Sequence, residues 1–254
     1  MDNELDIIGF IPARFGSTRL PGKPLLEING KPLLQIVYEN ICQSSMLRRL
    51  IVLTDHEKIA ELCEWNGMEY LMTPSDLPSG TDRICYALQE LDEKPDLVVN
   101  IQGDEPMLDA ETIDDLINRF SGSHCYLGTL IKRIYNEDEL FANSSVKVVL
   151  DNFGQALYFS RNPIPYLRDI EKEKWLDNHI FWKHIGVYIY RYHSITSFPD
   201  LTYSNLENSE KLEQLRFLQD GFKVQCVETS KTFYGIDTAE DYEFVKKIFA
   251  EKNV

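Results

Sequence analysis

Three cations stand close together in a chain that is otherwise acidic. Arg14, Arg19 and Lys23 fall within ten residues of one another, in the stretch IPARFGSTRLPGKPL, with no acid among them. The whole chain of 254 residues carries a formal net charge of -15. Gly16 and Gly22 share the segment, which follows the first apolar run. A strand ending in such a turn points backbone N–H groups at an anion while the side chains supply charge, so a phosphate chain is the expected ligand. The common phosphate loop has four residues between its glycines and Ser or Thr after its lysine. Here five residues separate Gly16 from Gly22, and Pro24 follows Lys23. That reading fails, and no GxGxxG supports a dinucleotide site. The bland alternative is a solvated basic turn.

Carboxylates follow downstream. Gln102-Gly103-Asp104-Glu105-Pro106 closes the apolar run LVVNI. An acid at a strand end, facing a polyphosphate loop, is a natural ligand for magnesium, which prefers hard oxygen donors. The alternative is a turn with Asp104 as a helix cap. In Gly235-Ile236-Asp237-Thr238, Asp237 either caps a helix or completes a two-carboxylate site with Asp104; with 132 residues between them, spacing does not decide. Further polar clusters lie at Tyr158–Arg161, at Lys183–Tyr188, at Glu210 and at Leu212–Arg216. An arginine near a histidine can grip a carboxylate, and Glu and Gln can bind sugar hydroxyls. The structural readings are a satisfied His184 and a helix-surface ion pair between Glu213 and Arg216.

The elements that must position these groups alternate in type. Strands are expected at Ile7–Ile11, Leu50–Thr54, Glu69–Met72 and Leu97–Ile101, and helices at 32–44, Glu57–Trp65, Thr81–Leu91 and Asp109–Phe120. Such alternation implies an α/β fold with a mostly parallel sheet, whose ligands bind at the carboxyl ends of the strands. Both notable loops follow strands, so they share one rim. In the second half, Val146–Leu150 and Gln155–Phe159 flank an Asn/Gly turn. Residues 168–183 read as a polar surface excursion, and Ile185–Tyr190 as a strand. A helix is expected at Ser209–Gln219, closed by Gly221, then a strand at Phe222–Val227 and a helix at Thr238–Lys247 capped by Thr238 with Asp241. No repeat or linker appears. One unit spanning 1–254 is expected: a nucleotide-binding half over about 1–130, an inserted, more antiparallel lobe over 131–227, and a metal-ligand turn with its helix over 228–254.

Composition bounds the function. The acidic balance argues against a nucleic-acid surface, because phosphate backbones select for basic faces. Five cysteines stand without a CxxC or paired spacing, so neither a disulfide framework nor a zinc site is expected, which fits a reducing cytoplasm. The acidic start and short first apolar run suit neither a signal peptide nor a membrane span of roughly 20 residues.

Taken in order, IPARFGSTRLPGKPL, TDH, SGTDR, VVNIQGDEPM, VKVVLDNFGQALYFSRNPIP, KHIGVYIYR, SEKLEQLRFL and GIDTAEDYEFV resemble the 3-deoxy-manno-octulosonate cytidylyltransferases, or CMP-Kdo synthetases, over nearly the whole chain. The resemblance implies a Rossmann-like nucleotidyltransferase fold of the glycosyltransferase-A type, a mixed, mostly parallel sheet flanked by helices. A smaller inserted lobe would serve dimerisation and sugar binding in a homodimer. It implies transfer of CMP from CTP to the anomeric hydroxyl of the sugar acid Kdo, with magnesium, for lipopolysaccharide assembly. Carried across, Ala13, Arg14, Gly16, Ser17, Arg19 and Lys23 match the triphosphate loop. Ser79, Gly80, Thr81 and Arg83 lie near the base, and Gln102 at the junction of nucleotide and sugar. Asp104 and Asp237 match the metal ligands; with Arg14 and Lys23 they form the expected catalytic set. Arg161, His184, Tyr188, Glu213 and Gln214 match the sugar-acid pocket. The chain departs from the family at Phe15, often Tyr, at Tyr166, often Trp, and at Ala239, often Pro. The rival readings are a sugar-1-phosphate nucleotidyltransferase, whose loop carries GxGTR, a cytidylyltransferase for sialate or 8-amino-Kdo, and a catalytically dead, nucleotide-binding regulatory protein.

Overall fold

Short apolar, β-branched runs too brief for helices become strands; among the described residues nine share one sheet and two pair separately. The computed structural model describes residues 5–16 and 20–252. In chain order the strands are β1 (Ile7–Pro12), β2 (Glu27–Ile28), β3 (Lys31–Pro32), β4 (Arg49–Thr54), β5 (Tyr70–Met72), β6 (Leu97–Asn100), β7 (Leu127–Arg133), β8 (Lys147–Leu150), β9 (Ala156–Ser160), β10 (Trp182–Arg191) and β11 (Val224–Glu228). The main sheet runs β11-β7-β10-β6-β1-β4-β5, with the β8–β9 hairpin attached through β8 to the start of β10. β1 pairs in parallel with β4 and β6, β4 with β5, and β7 with β11, while β10 lies antiparallel between β6 and β7. The sheet is therefore mixed and mostly parallel, as the alternation implied.

Both faces are covered. In β1, Ile7 and Ile11 enter one buried cluster and Ile8 and Phe10 the other, the period-two division of a strand buried on both sides. Helices Leu33–Ile41, Glu57–Trp65 and Ala110–Ser121 cover the first face; Gly80–Glu90 and Gln214–Gln219 cover the second. Among the described residues no helix is long and apolar enough to cross a membrane.

Four expectations need correction. Leu127–Arg133 forms β7, between β11 and β10 in the sheet, a strand that LGTLIKR does not announce because its first five residues are all buried and show no alternation. Residues 168–183 are more than a surface excursion. Trp175 and Phe181 are buried with Ile134 and Leu140 in a small separate core, and Trp182–Lys183 already belong to β10. The single helix expected over Ser209–Gln219 is two, Asn205–Glu210 and Gln214–Gln219, broken where Lys211 takes a φ of 55°. The break has a cause. Arg216 Nε and Nη2 each donate to the Glu207 carboxylate at 2.7 Å. At 3.6 residues per turn, residues nine apart sit on opposite faces of a continuous helix. Consequently the ion pair expected between Glu213 and Arg216 gives way to one with Glu207, which leaves Glu213 and Gln214 at the head of the second helix. The C-terminal helix, Ala239–Lys252, extends past the expected end. Its cap follows the sequence: Asp241 N–H donates to Thr238 Oγ1 at 3.2 Å and Thr238 N–H to Asp241 Oδ2 at 2.8 Å.

Candidate functional site

Because β1 and β6 run in parallel side by side, the basic loop after β1 and the Gln102–Pro106 turn after β6 leave the sheet at the same end. A third segment, 233–238, crosses this rim and is tied to it where Ile236 N–H donates to the Asp104 carbonyl at 3.0 Å. Its closeness explains Gly235: a Cβ there would stand 2.9 Å from Glu105 Oε1. Lys23 joins all three segments. Its ammonium donates to Asp104 Oδ2 at 2.5 Å, to the Ile236 carbonyl at 2.8 Å and to Asp237 Oδ1 at 3.3 Å. The two carboxylates that spacing could not relate thus converge on one cation.

That convergence bears on metal binding. Among the described residues no cluster of three or more His, Cys, Asp or Glu side chains suits a metal ion. A pair of carboxylates leaves most coordination positions to water and phosphate oxygens, which is what magnesium accepts and zinc does not require. The donor set fits magnesium held jointly with a polyphosphate.

Two cavities open on the rim. The smaller, of about 280 Å³, lies between the basic loop and the start of helix Gly80–Glu90. Ala13, Arg14 and Lys23 line one wall, Ser79, Gly80 and Arg83 another. The larger, of about 590 Å³, extends over β10 to Val146 and Arg161 at the open end of the β8–β9 hairpin, and Thr81, His184, Tyr188 and Gln214 also line it. Gln102, Asp104, Glu213, Asp237 and Gly80 wall both, so a seam of polar groups runs between them. A bulge in β10 between Ile185 and Tyr188 lies on the wall of the larger cavity, and bulges are common next to sites. Gly16 lines neither cavity; Ser17 and Arg19 lie outside the described residues.

Side-chain environments refine the expected roles. Burial raises the Glu213 carboxyl above its ordinary range although the Thr81 hydroxyl donates to it at 2.9 Å. Arg161 is spent on the backbone, donating to the carbonyls of Glu210 at 2.7 Å, Asn143 at 3.1 Å and Lys211 at 3.4 Å. These contacts fix its position, and among the described residues no carboxylate forms an ion pair with it. Arg83 is 2% exposed and turned inward, onto Asp55, Thr73 and the Pro74 carbonyl. Its guanidinium belongs to the frame of the site rather than to its open surface.

His184 is the clearest revision. Burial pushes its pKa down to about 3, so the ring is neutral and adds no positive charge beside Arg161. Thr129 Oγ1 donates to a backbone carbonyl of β10 (Val187 O at 2.7 Å) and so receives its hydrogen bond from His184 Nε2 at 3.0 Å. The ring therefore carries its proton on Nε2. A depressed folded-state pKa means that the unfolded chain binds the extra proton between pH 6.5 and 3, and stability is lost as pH falls through that window. Between pH 6.5 and 5 this group alone is expected to remove about 2 kcal/mol. Urea unfolding of the native chain and of His184→Gln at both pH values checks this: the variant should lose less stability on acidification, and equal losses would contradict the assignment.

Glu105 and Ser145 escaped the sequence, whereas Gln214 did not. Among the described residues, four buried side-chain polar atoms lack a hydrogen-bond partner; Glu105 Oε2, Ser145 Oγ and Gln214 Nε2 are three of them, and their residues all line the larger cavity. Buried polar atoms are normally paired, so this concentration marks a space that a polar ligand would complete. Burial, reinforced by the charge of Asp104, pushes Glu105 up to about 8. Its place in QGDEP gave a hint of its importance; nothing in the sequence distinguishes Ser145.

Known proteins resemble this chain over nearly its whole length. A family model described as cytidylyltransferase matches residues 8–231. The 3-deoxy-manno-octulosonate cytidylyltransferase of Thermodesulfovibrio yellowstonii is 44% identical, covering 93% of this chain and 95% of the relative. That of Lawsonia intracellularis is 42% identical, covering 96% and 94%. A solved structure of CMP:2-keto-3-deoxy-manno-octonic acid synthetase complexed with CTP superposes with a TM-score of 0.89 at 35% identity, covering 97% of this chain and 99% of that one.

Proposed function

This chain belongs to the 3-deoxy-manno-octulosonate cytidylyltransferases of the cytidylyltransferase family, and on that premise we propose how its two cavities divide the reaction. The chain transfers CMP from CTP to the anomeric hydroxyl of Kdo and releases pyrophosphate. In our reading CTP occupies the smaller cavity and the sugar acid the larger one. The observation that carries this reading is the shared seam, because two substrates joined by a new bond must meet where their sites share a wall. The anomeric oxygen attacks the α-phosphorus, the bond from that phosphorus to the oxygen bridging to the β-phosphate breaks, and the hydroxyl proton is released.

The chain's task is largely one of charge and position, as in phosphoryl transfer generally. Arg14 and Lys23 hold and orient the triphosphate, and Arg161 faces the sugar carboxylate. Glu213 and Gln214 bind sugar hydroxyls, Tyr188 and the neutral His184 complete that wall, and Gln102 stands at the junction. We assign magnesium to Asp104 and Asp237; when bound it neutralises charge on the triphosphate.

Pyrophosphate release, measured with CTP and magnesium against Kdo, 8-amino-Kdo and sialate, tests the reading. Turnover is expected with Kdo and none with sialate; turnover with sialate alone would replace Kdo as the substrate. We further place the product in lipopolysaccharide assembly and the chain in the cytoplasm. Cys63, Cys85, Cys125 and Cys226 are buried free thiols, as a reducing compartment favours.

A homodimer is part of the same proposal. Among the described residues β9 pairs only with β8, which leaves its other edge open there, and Leu157 on it is 61% exposed beside a groove that also contains Val149, Leu176 and Ile180. An open edge with exposed apolar side chains invites a second copy. Light scattering should give twice the chain mass for the native protein and a shift toward monomer for Leu157→Glu; a monomeric native protein would refute the dimer.

A further inference from the structure

The motif Thr54-Asp55-His56 has no role in the reaction, yet it ties the residue next to Arg14 to Arg83 on the opposite wall of the smaller cavity. Asp55 follows β4, next to the loop that leaves β1. Its Oδ1 accepts the Phe15 N–H at 3.1 Å, and its Oδ2 accepts Arg83 Nη2 at 2.7 Å. Arg83 in turn donates to the Pro74 carbonyl at 3.0 Å and to the Thr73 hydroxyl. One carboxylate therefore bridges the basic loop to the helix Gly80–Glu90 and, through Arg83, to the segment that leads into Leu77, Pro78 and Ser79 on the cavity wall. Both members of the pair are sheltered: the Arg83 side chain is 2% exposed and that of Asp55 11%.

The rest of Phe15 is held as firmly. Its carbonyl accepts the Gly22 N–H at 3.1 Å, closing the loop. Its ring stacks on His56 with centroids 3.8 Å apart and planes 15° from parallel. A Cβ on Gly22 would touch the same ring at 3.5 Å. Phe15 is thus a pin between His56 and Gly22, and its chain neighbour Arg14 lines the cavity.

We propose that Asp55, through its bridge from Phe15 N–H to Arg83, is the positioning residue that sets the spacing between the triphosphate loop and the opposite wall of the CTP cavity. Neither Asp55 nor the Arg83 guanidinium contacts the nucleotide in this account; they hold the backbone from which Arg14 and Ser79 reach it. The inference rests on the assignment of CTP to that cavity.

The test uses Asp55→Asn, which keeps an oxygen for the Phe15 N–H and removes the charge that holds Arg83, together with Arg83→Lys, which keeps the charge and loses the planar fork. Misplacement by a fraction of an ångström suffices to weaken a charge-assisted contact, so KM and Kd for CTP are expected to rise about tenfold in both variants. The KM for Kdo should change less than twofold. A role in folding alone would lower the thermal midpoint and the active fraction while leaving the KM for CTP unchanged in the folded protein; that outcome overturns the proposal. His56→Ala, on a half-buried ring outside the ion pair, covers the case in which the other variants fail to fold. It should raise the KM for CTP about threefold through loss of the stack, and no change would overturn the proposal equally. The native chain separates this inference from its premise: if it does not bind CTP, the site assignment fails first, and if it binds CTP as tightly as the variants do, only the positioning role fails.

Discussion

Replacing Asp104 by asparagine is expected to lower kcat about a thousandfold, the scale found when a preorganised charge is removed from an active site. The change preserves shape, since the amide still offers an oxygen to Lys23, and it removes one of the two anionic charges that converge on the Lys23 ammonium. Asp237→Asn should act in the same direction. With either charge gone, one carboxylate remains beside the Lys23 cation, a set with little affinity for magnesium. The concentration of magnesium needed for half-maximal turnover should therefore rise with the fall in kcat, while the thermal midpoint without substrates stays nearly unchanged. Steady-state kinetics over a magnesium series checks both, and near-normal activity in either variant would remove that residue from the metal site.

The second large effect concerns stability and arises away from the chemistry. Glu207 and Arg216 form a two-point ion pair with side chains 6% and 11% exposed, and the guanidinium lies over the Phe198 ring at 4.1 Å and the Tyr203 ring at 5.0 Å. Truncating one partner of such a pair leaves the other charge buried and uncompensated, which costs about 3–5 kcal/mol. Glu207→Ala should accordingly lower the thermal midpoint by roughly 10 °C for a chain of this size. The same pair folds the 205–219 segment back on itself and presents Glu213 and Gln214 to the cavity. The KM for Kdo should therefore rise at temperatures where the variant is still folded. Differential scanning calorimetry and kinetics at low temperature separate the two effects, and a midpoint within 2–3 °C of native would contradict the buried-pair account.

Those two residues also show what the sequence revealed and what it withheld. The parallel half of the fold was legible because each strand is a short apolar run and each helix has apolar residues on one face. Glu57–Trp65 begins and ends where the pattern placed it. The shared rim was legible as well, since loops that follow neighbouring parallel strands must emerge together. Contacts that depend on the path of the chain were not. The convergence of Asp104 and Asp237 needs the 233–238 segment to cross the rim, and no spacing rule encodes that crossing. Arg216 looked like a partner for Glu213 because three residues apart suits a helix; the partner nine residues away requires the helix to break. β7 was hidden because a strand buried on both faces loses the alternation that identifies strands. His184 was recognisable as a candidate, yet its neutrality comes from burial among β-strands, which only the fold specifies.

The central claim is that the smaller cavity delivers the α-phosphorus of CTP to an oxygen of the sugar acid in the larger one. Phosphorus NMR of CTP, magnesium and Kdo incubated with the native chain tests it most directly. The account predicts loss of all three CTP resonances, one new phosphodiester signal for the α-phosphorus, and an equal amount of pyrophosphate. Formation of CDP with a phosphate monoester on the sugar, or hydrolysis of CTP independent of Kdo, would contradict it.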